Sequence, residues 1–99
     1  MDNNFKETLE SFIAECQTLV TDKYKVYSNV LLVKYGKKYA KIITSRDGVT
    51  VESAWAFINI SNGDILKPAS WSAPAKHARG NIYNDNRMQS VDAYGPNYL

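Results

Sequence analysis

The chain carries a single histidine, His77, and a single cysteine, Cys16, which are the first places to look for chemistry. A cysteine nucleophile needs an activating signature around it or a histidine in reach. Cys16 has no such signature and falls on an apolar stripe, where its role is packing. His77 would work as a general base only with a carboxylate to orient it and a nucleophile to deprotonate. Asp85 and Asp92 are the carboxylates that a fold would have to bring to it; otherwise His77 is a surface or phosphate-contacting residue. The sequence holds no Walker A loop, dinucleotide fingerprint or zinc-ligand spacing. The expectation is a protein that is not an enzyme, with no catalytic residues, no metal and no cofactor.

Binding chemistry is better represented. Between residues 67 and 81, Lys67, Lys76, His77 and Arg79 supply potential cations beside Trp71, Ser70 and Asn81. The cations suit phosphate, an exposed tryptophan suits stacking on a base, and Asn81 and Ser70 add hydrogen bonds. Pro74 is placed to open a short helix running to Arg79, with Gly80 as its stop, so that backbone N–H groups around residues 75–77 would face an anion. The opposing reading makes Trp71 a lid over the core and leaves the cations solvated. A secondary basic surface comprises Lys34, Lys37, Lys38 and Lys41, interleaved with Tyr24, Tyr27, Tyr35 and Tyr39. Aromatic and basic residues mixed on one sheet face form a stacking platform for nucleic acid. The same residues also serve cross-strand packing and keep sheet edges soluble.

The elements that must position these side chains can be read from periodicity. Phe5, Leu9, Phe12, Ile13, Cys16, Leu19 and Val20 recur at helical spacing, predicting an amphipathic helix over about 4–21. Asn4 is placed to cap it, with Glu7 completing a capping box. From Lys25 the texture turns to β. Val26 and residues 30–33, then Tyr39, Ile42 and Ile43, flank a turn at residues 35–38 and read as a hairpin. Asp47-Gly48 marks another turn. Residues 51–60 read as a central strand because both faces are apolar, with Val51, Trp55 and Phe57 on one and Ala54, Ala56, Ile58 and Ile60 on the other. Asn62-Gly63 predicts a two-residue hairpin into a short strand at 64–67. The fold class is α+β: the helix packed on a three- to four-stranded antiparallel sheet over about 25–67, with an irregular loop and short helix over 68–82. A tail over 83–99 is expected to wrap the domain, held by Tyr94, Tyr98 and Leu99.

Ninety-nine residues make a single domain spanning 1–99, and 44% hydrophobic with 22% charged residues is a globular composition. No apolar run approaches the roughly 18 residues of a membrane span, and the opening Met1-Asp2-Asn3-Asn4 is unlike a signal peptide. One cysteine forms no internal disulfide, which fits an intracellular protein. The formal net charge of +2 hides a segregation: residues 1–22 carry −4, whereas residues 23–46 carry +7 with no acid among them. A basic surface of that density attracts phosphate.

The run from Asn62 to Trp71 and from Ala73 to Ile82 resembles a family of short bacteriophage proteins of unassigned function. These share a hairpin ending Gly-Asp-(Ile/Val)-Leu-Lys, then Ala-Ser-Trp, then Pro-Ala-Lys-x-Ala-Arg-Gly-Asn-Ile. Residues 36–42 and 94–99 fit the same pattern, so the resemblance covers about residues 30–99. It implies a phage origin and the cytoplasm of a bacterial host, and it carries no activity with it. In order of elements, a helix, about three antiparallel strands and a helix opening at Ala75-Lys76-His77-Ala78-Arg79 are similar to the double-stranded-RNA-binding domain, which implies phosphate contacts from Lys76 and Arg79.

Together these readings favour a small phage-encoded, non-catalytic binder of nucleic acid or a phosphorylated nucleotide. The alternative is a phage counter-defence protein that inhibits a bacterial defence enzyme, a host protein, by docking on it, or that sequesters the enzyme's nucleotide signal. Docking would use the acidic face of the helix at Glu7, Glu10 and Glu15. No membrane partner is expected, and an unpaired sheet edge would favour a homodimer.

Overall fold

The computed structural model describes residues 3–23, 30–46, 53–92 and 95–96. Its elements are a helix α1 (Asn3–Lys23), strands β1 (Val30–Tyr35), β2 (Tyr39–Ser45), β3 (Ser53–Asn59), β4 (Asp64–Pro68) and β5 (Pro74–Asn81), a 3-10 turn η1 (Arg87–Ser90), and short strands β6 (Val91–Asp92) and β7 (Gly95–Pro96). The architecture is α+β. One antiparallel sheet runs in chain order β1-β2-β3-β4-β5, and β6 and β7 form a separate two-stranded ribbon.

The apolar stripe of α1 becomes the core. Phe5, Leu9, Phe12, Cys16 and Val20 are buried against Leu31, Ala40, Ile42, Ala56, Ile58 and Ile65 on one face of the sheet. The helix already includes Asn3, so Asn4 lies within its first turn and not at its cap. Helix and sheet are stitched at the β1 edge, where the Leu31 N–H donates to Gln17 Oε1 at 2.8 Å. An edge amide that would otherwise have no strand partner is thereby satisfied from the helix.

Both faces of β3 are apolar because it is the middle strand, as its composition predicts. Strict alternation along it fails at one point. Ile42 pairs with Ala56 but Ile43 pairs with Ala54, so Trp55 is an extra residue in the ladder. Such a bulge turns neighbouring side chains to one side. Accordingly Trp55 joins Ala56 and Ile58 in the helix-side core, while Phe57 does not.

The β3–β4 connection is longer than the two-residue turn expected at Asn62-Gly63. Residues 60–63 make the link, and the Gly63 N–H donates to the Asn59 carbonyl at 2.7 Å. Only Gly63 takes positive φ, at 82°. Asn62 instead turns the chain by accepting the Asp64 N–H on its side-chain oxygen at 2.9 Å.

The largest departure from expectation follows β4. The segment predicted to hold a short helix is the strand β5, which brings the sheet to five strands. Ile65 and Leu66 are both buried, so β4 has both faces covered and its free edge needs a neighbour to satisfy the backbone. Pairing of Asp64 with Asn81, Ile65 with Gly80, Leu66 with Ala78 and Pro68 with Pro74 meets that need and overrides local helix propensity. Pro74, which looked like a helix opener, begins an edge strand, a position where its missing N–H is tolerated. Gly80 is not a helix stop: a Cβ there would lie 2.5 Å from Ser90 Oγ, so it lets η1 pack on the strand. The likeness to the double-stranded-RNA-binding domain order ends here, since it required a helix at this place.

The described residues of the tail pack on the domain. Val91 lies in the core, and Gly95 packs where an added Cβ would be 2.8 Å from the Trp55 carbonyl oxygen. Arg87 ties η1 to α1 by donating to Glu15, to Ser11 Oγ at 3.1 Å and to the Ile82 carbonyl at 3.0 Å. The expected roles of Tyr24, Val26, Tyr27, the Asp47-Gly48 turn, Val51, Tyr94, Tyr98 and Leu99 lie outside the described residues. No helix among the described residues is long and apolar enough to cross a membrane.

Candidate functional site

Strand register decides which side chains meet. Directly paired residues of an antiparallel sheet project to the same face. Lys34 pairs with Lys41, Lys41 with Phe57, Phe57 with Leu66, and Leu66 with Ala78. This row crosses all five strands on the face turned away from the helix. Phe57 and Leu66 are buried but stand outside the helix-side core, so the outer face has an apolar floor of its own. Tyr39, two residues before Lys41, meets Phe57 edge-on with ring centroids 6.0 Å apart. Tyr35 belongs to the opposite row, paired with Ala40, but at the end of β1 it still lines the basic depression described below. Burial, and then the charge of Glu10, push its phenol pKa up.

The β4–β5 turn delivers the last component. The Ala69 and Ser70 N–H groups both donate to the Ala73 carbonyl, at 2.9 and 3.1 Å, closing a turn with Trp71 at its tip. Trp71 is 47% exposed, too open for a core lid. The Lys41 ammonium lies 3.6 Å from the Trp71 ring centroid and 5.7 Å from that of Phe57. Lys38 extends over Tyr39 at 5.4 Å. The result is a shallow depression of about 310 Å³ between the β1–β2 turn and the β4–β5 turn. Lys34, Lys37, Lys38 and Lys41 rim it, Tyr39 and Phe57 floor it, and Ser72 flanks it. Among the described residues no carboxylate lines it.

The electrostatics are those of crowded cations. Lys34 and Lys41 sit directly opposite across the ladder, an arrangement that costs stability unless an anion compensates it. Desolvation, and then the charge of Lys34, lower the pKa of Lys41. Chemically the depression offers ammonium donors beside aromatic faces, which fits a phosphate carrying a flat apolar group.

The residues expected between 67 and 81 divide. Trp71 alone meets the basic depression, through the Lys41 ammonium on its ring, and itself lines an adjoining hollow of about 310 Å³ with Ser53, Ala54, Pro68, Ala69 and Ser70. Lys67 reaches the Pro96 carbonyl at 3.3 Å, on the side of the β6–β7 ribbon. Asn81 donates to the Asn62 carbonyl at 2.8 Å and to Asp64 at 3.1 Å, a structural clasp across the β3–β4 turn. Arg79 donates to the His77 carbonyl and faces η1, beside Asn84, Asn86 and Gln89. Lys76 and His77 are exposed on the outermost strand, and no helix N-terminus is formed beside them. The secondary set Lys34, Lys37, Lys38 and Lys41, in contrast, is brought together. Phe57 was missed as a site residue. Its register with Lys41 depends on the β2–β3 connection, which sequence spacing does not fix.

Cys16 is fully buried and its thiol is pushed up to about 12, chiefly by burial, so it is a protonated packing group at neutral pH. On the acidic face of α1, Glu7 and Glu10 are exposed, while Glu15 is engaged by Arg87.

No curated protein and no solved structure matches the chain. A family model does match it over residues 2–97, and the chain therefore belongs to DUF7717, a family of unknown function.

Proposed function

We propose that the protein is a non-catalytic binder of nucleic acid or a phosphorylated nucleotide, and that the outer sheet face is its binding surface. The observation that carries this reading is the Lys34–Lys41 pair, set side by side over an aromatic floor with Lys41 against Trp71 and with no carboxylate lining the depression among the described residues. Lysines keep the β1 edge soluble, but opposed across a ladder they repel. A phosphate ligand converts that repulsion into paired attraction. The aromatic rings beside them supply stacking, which tolerates any base.

The reading includes a phage origin and action in the cytoplasm of a bacterial host. Its support is the motif resemblance, whose residues form the β4–turn–β5 hairpin that carries Trp71.

Fluorescence anisotropy of a labelled single-stranded oligonucleotide tests the location of the surface. Lys34→Gln/Lys38→Gln should weaken binding at least tenfold, whereas Lys76→Gln/Arg79→Gln on the β5 side should change it less than threefold, on the order of one charge contact per removed cation. The reverse ranking would place the site on β5 and refute the outer face.

A further inference from the structure

Lys41 stands where a ligand's base would go. Its ammonium lies 3.6 Å from the Trp71 ring centroid, covering the ring that is otherwise available for stacking on that side. The Phe57 ring centroid lies 5.7 Å from the same ammonium. A cation near aromatic rings is held by the ring quadrupoles, weakly at an exposed site. The neighbouring Lys34 charge opposes that placement, and desolvation together with Lys34 lowers the pKa of Lys41. The contact is therefore easily surrendered to a ligand that supplies both a flat ring and a negative charge.

The size of the hollow that Trp71 lines limits that ligand. About 310 Å³ is at the small end of ligand pockets, which run from ~300 to 1,000 Å³, so one base enters and not a base pair. The number of the cations argues in the other direction, for a chain and not a free mononucleotide. Lys34, Lys37, Lys38 and Lys41 all rim the neighbouring depression, and four ammonium groups exceed what the charge of about −2 on one phosphate neutralises.

We infer that the hollow lined by Trp71 accepts one unpaired base of a single-stranded nucleic acid, with Lys41 as a displaceable placeholder between it and the basic depression. The entering base takes the Trp71 face, and the released Lys41 ammonium moves to a phosphate beside it, with Lys34, Lys37 and Lys38 on the flanking phosphates. This rests on the nucleic-acid reading above and goes further in naming the strand state and the moving residue. Duplex is disfavoured because its bases are already paired and stacked.

The experiment uses the whole protein, a short oligothymidylate, the blunt duplex containing it, and free thymidine. Tryptophan emission is recorded for wild type and Lys41→Met, with Trp71→Phe identifying which signal belongs to Trp71, since Trp55 is buried. Methionine keeps an apolar stem over Phe57 and removes the ammonium. Oligothymidylate should change Trp71 emission and bind at least tenfold more tightly than duplex. In Lys41→Met, uncharged thymidine should bind about two- to fivefold more tightly than in wild type, the worth of one exposed cation–π contact. The salt dependence for oligothymidylate should also flatten by about 0.7, the loss of one phosphate contact to a single strand. Oligothymidylate binding with silent Trp71, equal duplex binding, or unchanged thymidine affinity in Lys41→Met would overturn the placeholder and leave the nucleic-acid surface standing. No binding of either polymer at low salt would overturn both.

Discussion

Trp71 and Cys16 are the residues whose environments separate function from packing. Trp71 sits half exposed at a turn tip with a lysine against its ring, so removing it leaves no cavity in the core. Trp71→Ala should weaken oligonucleotide binding roughly 5- to 150-fold, the equivalent of ~1–3 kcal/mol of stacking per base. Its thermal midpoint should stay within the small range of surface substitutions. A large loss of stability with proportionate loss of binding would assign Trp71 to the core instead. Cys16 makes the opposite prediction. Its thiol is raised to about 12 in the folded protein from about 9. The unfolded chain therefore releases this proton first, and the stabilising contribution is complete below pH ~9 and lost as pH rises towards 12. Wild type should lose stability relative to Cys16→Ala at up to about 1.4 kcal/mol per pH unit across that window. Parallel pH profiles for the two proteins in urea titrations would show that Cys16 is not buried as described. The packing role of Cys16 was legible from its place on the helical stripe. The exposure of Trp71 was not, because tryptophan in an irregular stretch fits a lid equally well.

Among the elements, β5 carries the lesson about what sequence periodicity conveys. The run Pro74-Ala75-Lys76-His77-Ala78-Arg79 has the local features of a helix start, and nothing within it signals a strand. Its conformation is settled by β4, whose Ile65 and Leu66 are both buried and whose edge needs a partner. That is tertiary information. The helix and the β1–β2 hairpin were readable because their signals are local: a sustained apolar stripe, and two β-rich runs about one glycine. The same hairpin symmetry places Lys34 opposite Lys41, so half of the candidate site was implicit in the turn at residues 36–38. The partnership with Phe57 was hidden by the β2–β3 connection and by the extra residue at Trp55. The edge of β1 gives an element-level test. Gln17→Leu removes the acceptor of the part-buried Leu31 N–H, which should cost about 1–3 kcal/mol by urea midpoint. An unchanged midpoint would mean that water serves the amide equally well and that the stitch adds nothing.

For the whole molecule, charge and layers coincide. The helix carries Glu7 and Glu10 exposed on its surface, and Lys34, Lys37, Lys38 and Lys41 of the β1–β2 hairpin rim the outer depression. A small net charge thus coexists with two oppositely charged faces, and a polyanion approaching the molecule is steered to the sheet side. The central claim is that this basic, aromatic face engages phosphate of a nucleic-acid strand. The most direct measurement is the affinity for a labelled single-stranded oligonucleotide as a function of salt concentration. If Lys34, Lys37, Lys38 and Lys41 each neutralise one phosphate, log affinity should fall against log salt with a slope of about −3, from ~0.7 per contact. Lys34→Gln/Lys38→Gln should bring that slope to about half. A flat salt dependence, or no saturable binding at low salt, would contradict the claim.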